Sequence, residues 1–379
     1  MHKNPMSTQS FEVASPIHDS FRVRQIAGMF DVPLGEKLTE RFAAELPSAD
    51  DVWQVGLIVG PSGAGKSTVA RQAFGSQLYE PGAWPTDRAV IDALFATLGD
   101  ETISVKQMVG LLTAVGFSSP PAWVKPYGVL SNGERFRCDL ARALVVGLAV
   151  GETPPTVVYD EFTSVVDRDV ARACAVAVAK AVRSQQVRAR FVAVTCHYDV
   201  EPWLAPDWTL DMTTGKLAWR SLRRPELRLG LELEVRRCGA GLWPLFARHH
   251  YLSAGLSWGA RCYAALCRGR PIAFCAVLAQ FARRGAWRIS RLVTLPDFQG
   301  LGIGTRLAEA IGDAYLAEGQ QFGVTAAHPA LLAHCLRSPR WRLRGIRKPG
   351  RARRRSPQDD YSDSHGRAVA TFQYLGGAV

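Results

Sequence analysis

Apolar residues in the first half of the chain fall into short continuous runs, each followed by residues with helical spacing. VGLIV (from Val55), TVVY (from Thr156) and FVAVT (from Phe191) are such runs. Runs of this length bounded by turn residues are typical of buried strands. RAVIDAL, from Arg88, is predicted as a further strand. The pattern indicates an α/β fold.

The second half shows strands of a different kind. CYAALC (from Cys262) and PIAFCAVLAQF (from Pro271) predict two strands joined by a tight Arg-Gly-Arg turn. WRISRLVTL, from Trp287, predicts a strand that leads into a glycine-rich turn and an amphipathic helix. FGVTAAHPALLAHC predicts a strand followed by a helix, and RWRLRGI predicts a strand. The change of pattern predicts a second, mixed α/β domain.

A glycine-rich turn follows the Val55 strand and opens a helix. Its sequence, GPSGAGKST, fits G-x-x-x-x-G-K-[ST], and the strand, loop and helix come in the order of a phosphate-binding loop. Backbone N–H groups in such a loop surround an anion at a helix N-terminus. The lysine would reach the phosphates, and Ser67 would hold Mg²⁺. The predicted nucleotide-binding residues are Gly60, Ser62, Gly63, Gly65, Lys66, Ser67 and Thr68.

Two carboxylates stand at the end of the TVVY strand. Asp160 is predicted to bind Mg²⁺ together with Ser67, and Glu161 is placed to polarise an attacking water. A strand ending in Asp-Glu is a weak signal alone. Downstream of a phosphate loop, it predicts ATP hydrolysis.

LSNGERFR, from Leu130, distinguishes among phosphate-loop enzymes. It precedes a helical pattern and resembles the signature motif of ABC-type ATPases, usually LSGGQ, from which Asn132 and Glu134 depart. The later SVVD and the strand-ending His197 are similar to the family's D-loop and switch histidine. The resemblance implies that Ser131 and Gly133 contact the γ-phosphate of ATP held by another subunit, and therefore a homodimer.

Two family positions stay open. The family has a glutamine after the strand that follows the phosphate-loop helix; RAVIDAL places Asp92 there, and Gln107 lies further on. The adenine-stacking aromatic has three candidates, which are Phe21, Phe30 and Trp53.

QGLGIG, at residues 299–304, follows the WRISRLVTL strand and opens a helix. Backbone N–H groups at such a turn can approach a diphosphate closely. The motif, with its flanking strand and helix, resembles the pyrophosphate-binding motif of GNAT-superfamily acyltransferases. The resemblance implies acetyl-CoA or another acyl-CoA as donor, bound by Val293, Gln299, Gly300, Gly302, Gly304 and Thr305.

The catalytic residues of acyl transfer are less evident. The carboxylate that many GNAT proteins carry on the central strand is absent from WRISRLVTL, and the usual tyrosine is absent before Trp341, where Cys335 and Ser338 are the nearest polar residues. RHHYLSAG supplies His249, His250, Tyr251 and Ser253. Histidine titrates near neutral pH and tyrosine can donate a proton, so His250 and Tyr251 are the predicted catalytic pair. The alternative is a helix end with structural histidines. This stretch also resembles phage Mom-type DNA-modification enzymes.

Charge is distributed unevenly. Residues 1–222 hold 21 Lys and Arg against 24 Asp and Glu, whereas residues 223–379 hold 25 against 10. Ten of the nineteen residues from Arg337 to Arg355 are basic, with Trp341 among them. Such a stretch predicts salt-dependent nucleic-acid binding with the tryptophan stacked on a base. A solvated loop without function is the alternative.

The sequence thus predicts an ABC-type ATPase domain (1–222), a linker (223–230) and a GNAT-like acyltransferase domain (231–379) with a basic loop (337–355). No apolar run reaches the ~18 residues of a membrane helix, and a cytoplasmic protein is expected. The predicted function is ATP-dependent acyl transfer from acyl-CoA to nucleic acid. The alternatives are a non-catalytic, ATP-gated nucleic-acid clamp, and an acetyltransferase for a small-molecule or protein amine.

Overall fold

The computed structural model describes residues 7–16, 19–32, 37–48, 50–98, 103–148, 153–220, 232–250, 255–281, 283–347 and 368–377. The helices are α1 (Phe21–Phe30), α2 (Lys66–Phe74), α3 (Val90–Leu98), α4 (Val105–Ala114), α5 (Pro120–Trp123), α6 (Asn132–Leu144), α7 (Arg168–Arg183), α8 (Glu201–Leu204), α9 (Trp243–Ala247), α10 (Ile303–Ala317) and α11 (Pro329–Arg337). The strands are β1 (Ser7–Pro16), β2 (Lys37–Leu46), β3 (Val55–Val59), β4 (Leu78–Tyr79), β5 (Thr156–Tyr159), β6 (Arg190–Thr195), β7 (Trp208–Asp211), β8 (Lys216–Trp219), β9 (Glu234–Cys238), β10 (Arg261–Cys267), β11 (Arg270–Ala279), β12 (Ala286–Thr294), β13 (Gln321–Ala326), β14 (Trp341–Arg347) and β15 (Val369–Tyr374).

These elements form two compact units. The first unit comprises Met1–Pro81, Gly151–Val165 and Arg188–Leu227, and the second comprises Gly82–Val150, Val166–Val187 and Arg228–Val379. The second unit therefore joins five helices of the predicted ATPase part, α3 to α7, to the C-terminal sheet. We call these five helices and their connections the helical segment. The predicted linker, 223–230, lies outside the described residues.

The first unit is built on a six-stranded sheet in the order β4-β5-β6-β3-β7-β8, parallel except for the β7–β8 hairpin. All five residues of β3 are buried, as expected for a strand at the centre of a parallel sheet. Gly56 is required there, because the Trp208 indole occupies the space that a Cβ would fill. An antiparallel ribbon of β1 and β2 completes the unit.

The second unit contains a seven-stranded sheet in the order β14-β15-β13-β12-β11-β10-β9. Only the β12–β13 pair is parallel among its described strands. Helix α10 buries Ile303, Leu307, Ile311 and Tyr315, four residues apart, against the sheet. Gly312 lets the Tyr374 ring lie on the helix backbone. The strands predicted in this half are confirmed.

One predicted element is wrong. RAVIDAL is not a strand, because Val90 begins α3, and Val90, Ala93 and Leu94 are buried with helical spacing. The strand that follows α2 is instead β4, only two residues long, and Glu80 follows it. A seven-residue stretch with five apolar residues is compatible with both the strand and the helix period, and the short β4 lacks a β-strand pattern of its own.

Candidate functional site

The phosphate loop is a tight connection between β3 and α2. Gly63 and Gly65 have φ values of +80° and +78°, and Gly65 is the N-cap of α2. Left-handed backbone of this kind favours glycine, and it turns successive N–H groups to one side of the loop. A Cβ added to Gly63 would meet nothing within 4 Å. The loop therefore presents open backbone to an anion.

Lys66 is held against this loop. Its side chain is 7% exposed, and its Nζ donates to the carbonyl of Pro61 at 2.7 Å. The bond spans the turn and fixes the ammonium group at the loop. Gly60, by contrast, is required for packing, because an added Cβ would lie 2.8 Å from the Cβ of Met212.

The two carboxylates follow β5, whose carboxyl end lies at the same sheet edge as the phosphate loop because β5, β6 and β3 are parallel. The N–H of Glu161 donates to Asp160 Oδ1 at 2.9 Å, and Glu161 adopts a φ of +52°. The Oε2 of Glu161 accepts from Ser164 Oγ at 2.5 Å. His197 follows β6, and its N–H donates to Thr195 Oγ1 at 3.2 Å.

The residues at this edge fit Mg²⁺ and ATP. The hydroxyl of Ser67 and the carboxylate of Asp160 are oxygen ligands, which Mg²⁺ prefers, and it takes few protein ligands beside phosphates and water. When bound, the ion would neutralise phosphate charge.

The signature motif lies in the second unit, at the start of α6. Ser131 is the N-cap, and Glu134 closes a capping box around it. The backbone N and the Oγ of Ser131 both donate to Glu134 Oε2, each at 3.0 Å. A carboxylate therefore occupies the hydrogen-bonding groups of Ser131, the residue that the resemblance assigns to phosphate binding.

The structure bears on the two family positions that the sequence leaves open, the adenine-stacking aromatic and the glutamine. Trp53 is 7% exposed, lies edge-on to Trp208 at 5.5 Å and carries the Arg190 guanidinium over its ring, so its faces are not open to an adenine. Phe21 and Phe30 are exposed and stay candidates. Gln107 forms the capping box of α4 with Ser104.

In the second unit, β12 leaves β13 halfway along its length. Their parallel pairing ends at Ile289 and Val324. Ser290 is the extra residue of a bulge against β11, and its Oγ donates to the carbonyl of Ala276 at 3.1 Å. Beyond the bulge, the edge of β12 that faces β13 has no strand partner among the described residues. Such an edge offers backbone donors and acceptors to an extended ligand.

The groove between these strands ends at the QGLGIG turn. Gly302, with a φ of +76°, is the N-cap of α10, and an added Cβ would meet only Thr305 Oγ1, at an ordinary contact distance of 3.7 Å. Thr305 Oγ1 donates to the Gly302 carbonyl at 2.8 Å. Gly304 lets α10 approach β12, because its Cβ would lie 2.9 Å from Thr294 Oγ1. The backbone N–H groups at the start of α10 could therefore bind an anion.

Two residues of the predicted donor site contact the helical segment. Gln299 is 8% exposed, and its Oε1 accepts from the backbone N of Ser118 at 2.8 Å. A Cβ on Gly300 would lie 2.9 Å from the Cα of Gly116 and 3.0 Å from the Cβ of Ala177. These two residues thus pack the turn against helix α7 and the connection between α4 and α5. The side chain of Val293 is likewise buried in the core.

A cavity of about 450 Å³ lies along the groove. Strands β12 and β13, the QGLGIG turn and the helical segment all contribute to its walls, together with His249, His250, His328 and His334. Burial and the charge of Arg248 lower the pKa of His249, and burial lowers the pKa of His328. Both imidazoles are therefore mainly neutral at pH 7.

The structure describes only some of the other residues considered for acyl transfer. His250 lines the cavity, and its ring lies 5.8 Å from that of Trp243. Tyr251 and Ser253 lie outside the described residues. Burial raises the pKa of the Cys335 thiol to about 12. Sequence reasoning missed His328 and His334, which have no motif around them.

The predicted base-stacking role of Trp341 is wrong. Its side chain is 6% exposed, its Nε1 donates to Glu309 Oε1 at 3.2 Å, and its ring packs on that of Tyr374 at 4.8 Å. The arginines of β14 are exposed, whereas residues 348–355 of the predicted basic loop lie outside the described residues. Within the described chain, no helix has both the length and the apolar character needed to cross a membrane.

Residues 258–338 match the family model described as an acetyltransferase (GNAT) domain. None of the curated proteins matches the chain. Among solved structures, the chain is similar to dimeric MJ0796, a bacterial ABC transporter cassette, with 15% identity, 49% of this chain and 93% of that chain covered, and a TM-score of 0.37.

Two solved acetyltransferases are also similar. The ribosomal-protein-S18-alanine N-acetyltransferase from Escherichia coli has 14% identity, with 39% of this chain and 97% of that chain covered and a TM-score of 0.29. The IAA acetyltransferase from Bacillus cereus has 15% identity, with 38% and 99% covered and a TM-score of 0.28. The predicted GNAT-like part is confirmed over residues 258–338, and the predicted α/β fold class is confirmed in both units.

Proposed function

We propose that this chain is an N-acyltransferase that takes its acyl group from acyl-CoA and is controlled by ATP. The observation that carries the proposal is the groove where β12 leaves β13 and runs into the Gly302 turn. An extended pantetheine chain would pair with the free edge of β12, and the diphosphate would lie on the N–H groups at the start of α10.

In the proposed reaction an amine nitrogen attacks the thioester carbonyl carbon, the carbon–sulfur bond breaks, and the acyl group stays on nitrogen. The amine loses a proton and the CoA thiolate gains one. His250 lines the cavity and is the proposed base. Tyr251 is the proposed acid that protonates the thiolate.

Calorimetry with acetyl-CoA tests the donor site. Gly302→Asp adds bulk and negative charge to the turn, and we expect it to abolish binding. Gly269→Asp is the matched control, because Gly269 has the same φ of +76° and open space around it in the β10–β11 turn. If the wild-type chain binds no acyl-CoA, the clamp alternative gains the stronger support.

The ATP-binding part is proposed to form a homodimer around two ATP molecules. Lys66, with Ser67 and Asp160 at the sheet edge, would hold each nucleotide, and Ser131 and Gly133 of the other subunit would contact its γ-phosphate. Glu161→Gln removes only the proposed water-activating carboxylate, so ATP and Mg²⁺ should trap the dimer. Sedimentation measures it, with Glu12→Gln on β1 as control. A Glu161→Gln protein that stays monomeric contradicts this assembly.

We propose nucleic acid as the acceptor. The support is the charge of the second half, including Arg342, Arg344 and Arg347, which are exposed along the edge strand β14. Mass spectrometry of nucleosides from cells with and without the gene tests this proposal. An acylated nucleoside that depends on Gly302 is the expected result, whereas unmodified nucleosides favour a small-molecule or protein amine.

A further inference from the structure

Four cations lie at or beside the walls of the donor cavity. Lys106, Lys180 and Arg337 line it, and Arg306 follows Thr305 on the first turn of α10. No salt bridge joins any of the four to a carboxylate within the part of the chain that the structure describes. Burial and the charges of Arg337 and Arg306 lower the pKa of Lys180. Lys180, Arg306 and Arg337 therefore lie close enough for their charges to repel one another.

Two of these cations come from the helical segment. Lys106 lies on the first turn of α4, and Lys180 lies on α7, one helical turn after Ala177. Residues three apart on a helix lie on the same side of it. Because Ala177 contacts Gly300, its helical neighbour Lys180 is held beside the QGLGIG turn.

The contact between the helical segment and the turn is specific. The Oε1 of Gln299 accepts from Ser118 N, and a hydrogen bond joins His328 to the backbone of Ser118. Gly116 and Gly300 both have a φ of +84°, and their backbones lie too close together for a Cβ. Helix α11 also packs against α4. Lys106 and Lys180 thus belong to a helical segment that packs directly against the QGLGIG turn and helix α11.

We propose that Lys180, with Lys106, Arg306 and Arg337, binds the phosphate groups at the nucleotide end of acyl-CoA, so that the helical segment of the ATPase-like part forms one wall of the donor site. The inference rests on the proposed function. A polyanion relieves the repulsion of Lys180 by Arg306 and Arg337, and lysine serves phosphate as a point charge. The nucleotide end of CoA carries a diphosphate and a 3′-phosphate, which matches a site with several cations.

The test compares CoA, 3′-dephospho-CoA and pantetheine by calorimetry on the full chain. Lys180→Gln should weaken CoA binding about tenfold, the loss of one charge-assisted hydrogen bond, and should leave pantetheine binding unchanged. Lys180→Arg should restore most of the affinity. Lys216→Gln, the same charge change on an exposed strand of the first unit, is the control.

The outcomes separate the two proposals. Wild-type affinity for CoA in both Lys180→Gln and a Lys106→Gln/Lys180→Gln double variant overturns the inference and leaves the proposed function standing. Absence of CoA and acyl-CoA binding by the wild type overturns both. Thermal unfolding checks the fold of each variant, and Arg337→Gln, on a different helix, gives a second measurement of the same site.

Discussion

Gln299 and Ser118 lie 181 residues apart in the sequence, yet the Oε1 of Gln299 accepts a hydrogen bond from the backbone N of Ser118 at 2.8 Å. The Nε2 of the same side chain donates to the carbonyl of Thr294 at 3.1 Å. One buried amide thus connects the end of β12 to the connection between α4 and α5. The donor turn and the helical segment are joined at this residue.

Gln299→Ala should lower the free energy of unfolding by about 1–3 kcal/mol, because the N–H of Ser118 and the carbonyl of Thr294 would lose a buried partner. Urea unfolding measures the change. Gln299→Glu keeps the acceptor but loses the donor and places a carboxylate against a carbonyl, so it should be no more stable than Gln299→Ala. Wild-type stability in both variants would contradict the bridging role.

Glu134→Gln should strengthen the ATP-dependent dimer. The carboxylate of Glu134 accepts from both donors of Ser131, so it competes with the proposed γ-phosphate contact and repels it. The amide oxygen of glutamine still accepts a hydrogen bond but carries no charge. In a Glu161→Gln background, the ATP concentration at half-dimerisation should fall about three- to tenfold.

Sedimentation at a series of ATP concentrations measures this shift, and Glu12→Gln in the same background controls for loss of charge. An unchanged or higher midpoint would mean that Glu134 does not face the nucleotide.

The predicted secondary-structure elements that the structure confirms depend on local patterns. β3, the glycine-rich loop and α2 follow one another directly in the sequence, so one short motif predicts all three. Gly63 and Gly65 are recognisable in that motif, and the structure gives both a left-handed backbone. The QGLGIG turn was found in the same way. RAVIDAL failed because its apolar residues fit both a strand and the buried side of α3.

Residues whose roles depend on distant neighbours could not be predicted. Trp341 lies in a basic stretch, which suggested exposure, but its indole is buried by Tyr374 and held by Glu309. Lys180 carries no motif, and its place beside Gly300 follows from the packing of α7. Charge composition reports what a segment contains and does not report which side chains the fold buries.

His328 predicts a pH dependence of stability. It is the N-cap of α11, and its Nδ1 accepts from the N–H of Ala330 at 3.3 Å. Burial lowers the pKa of His328 below its usual 6.5. Between the lowered pKa and 6.5 the unfolded chain binds more protons, so stability is lost as the pH falls through this window.

His328→Asn keeps a side-chain acceptor at the N-cap and removes the titration. The loss of stability on going from pH 7.5 to pH 5 should therefore be smaller in His328→Asn than in the wild type. Thermal unfolding at several pH values measures it, with His197→Asn, in the first unit, as control. Equal slopes for wild type and His328→Asn would show that the pKa of His328 is the same in the folded and the unfolded chain.

The charge of the basic loop (337–355) predicts that nucleic acid is bound by electrostatic attraction alone. Residues 223–379 hold 25 Lys and Arg against 10 Asp and Glu, and Trp341 is buried, so it adds no base stacking. Replacing Arg351, Arg353, Arg354 and Arg355 with Ser should weaken binding equally for all sequences. If each arginine neutralises one phosphate of duplex DNA, the slope of log affinity against log salt should fall by about 3–4 units. ATP hydrolysis without nucleic acid should persist, because every residue proposed to bind or hydrolyse ATP precedes residue 200. A wild-type chain that binds neither DNA nor RNA at ~50 mM salt would instead assign these arginines to an acidic protein or small-molecule partner.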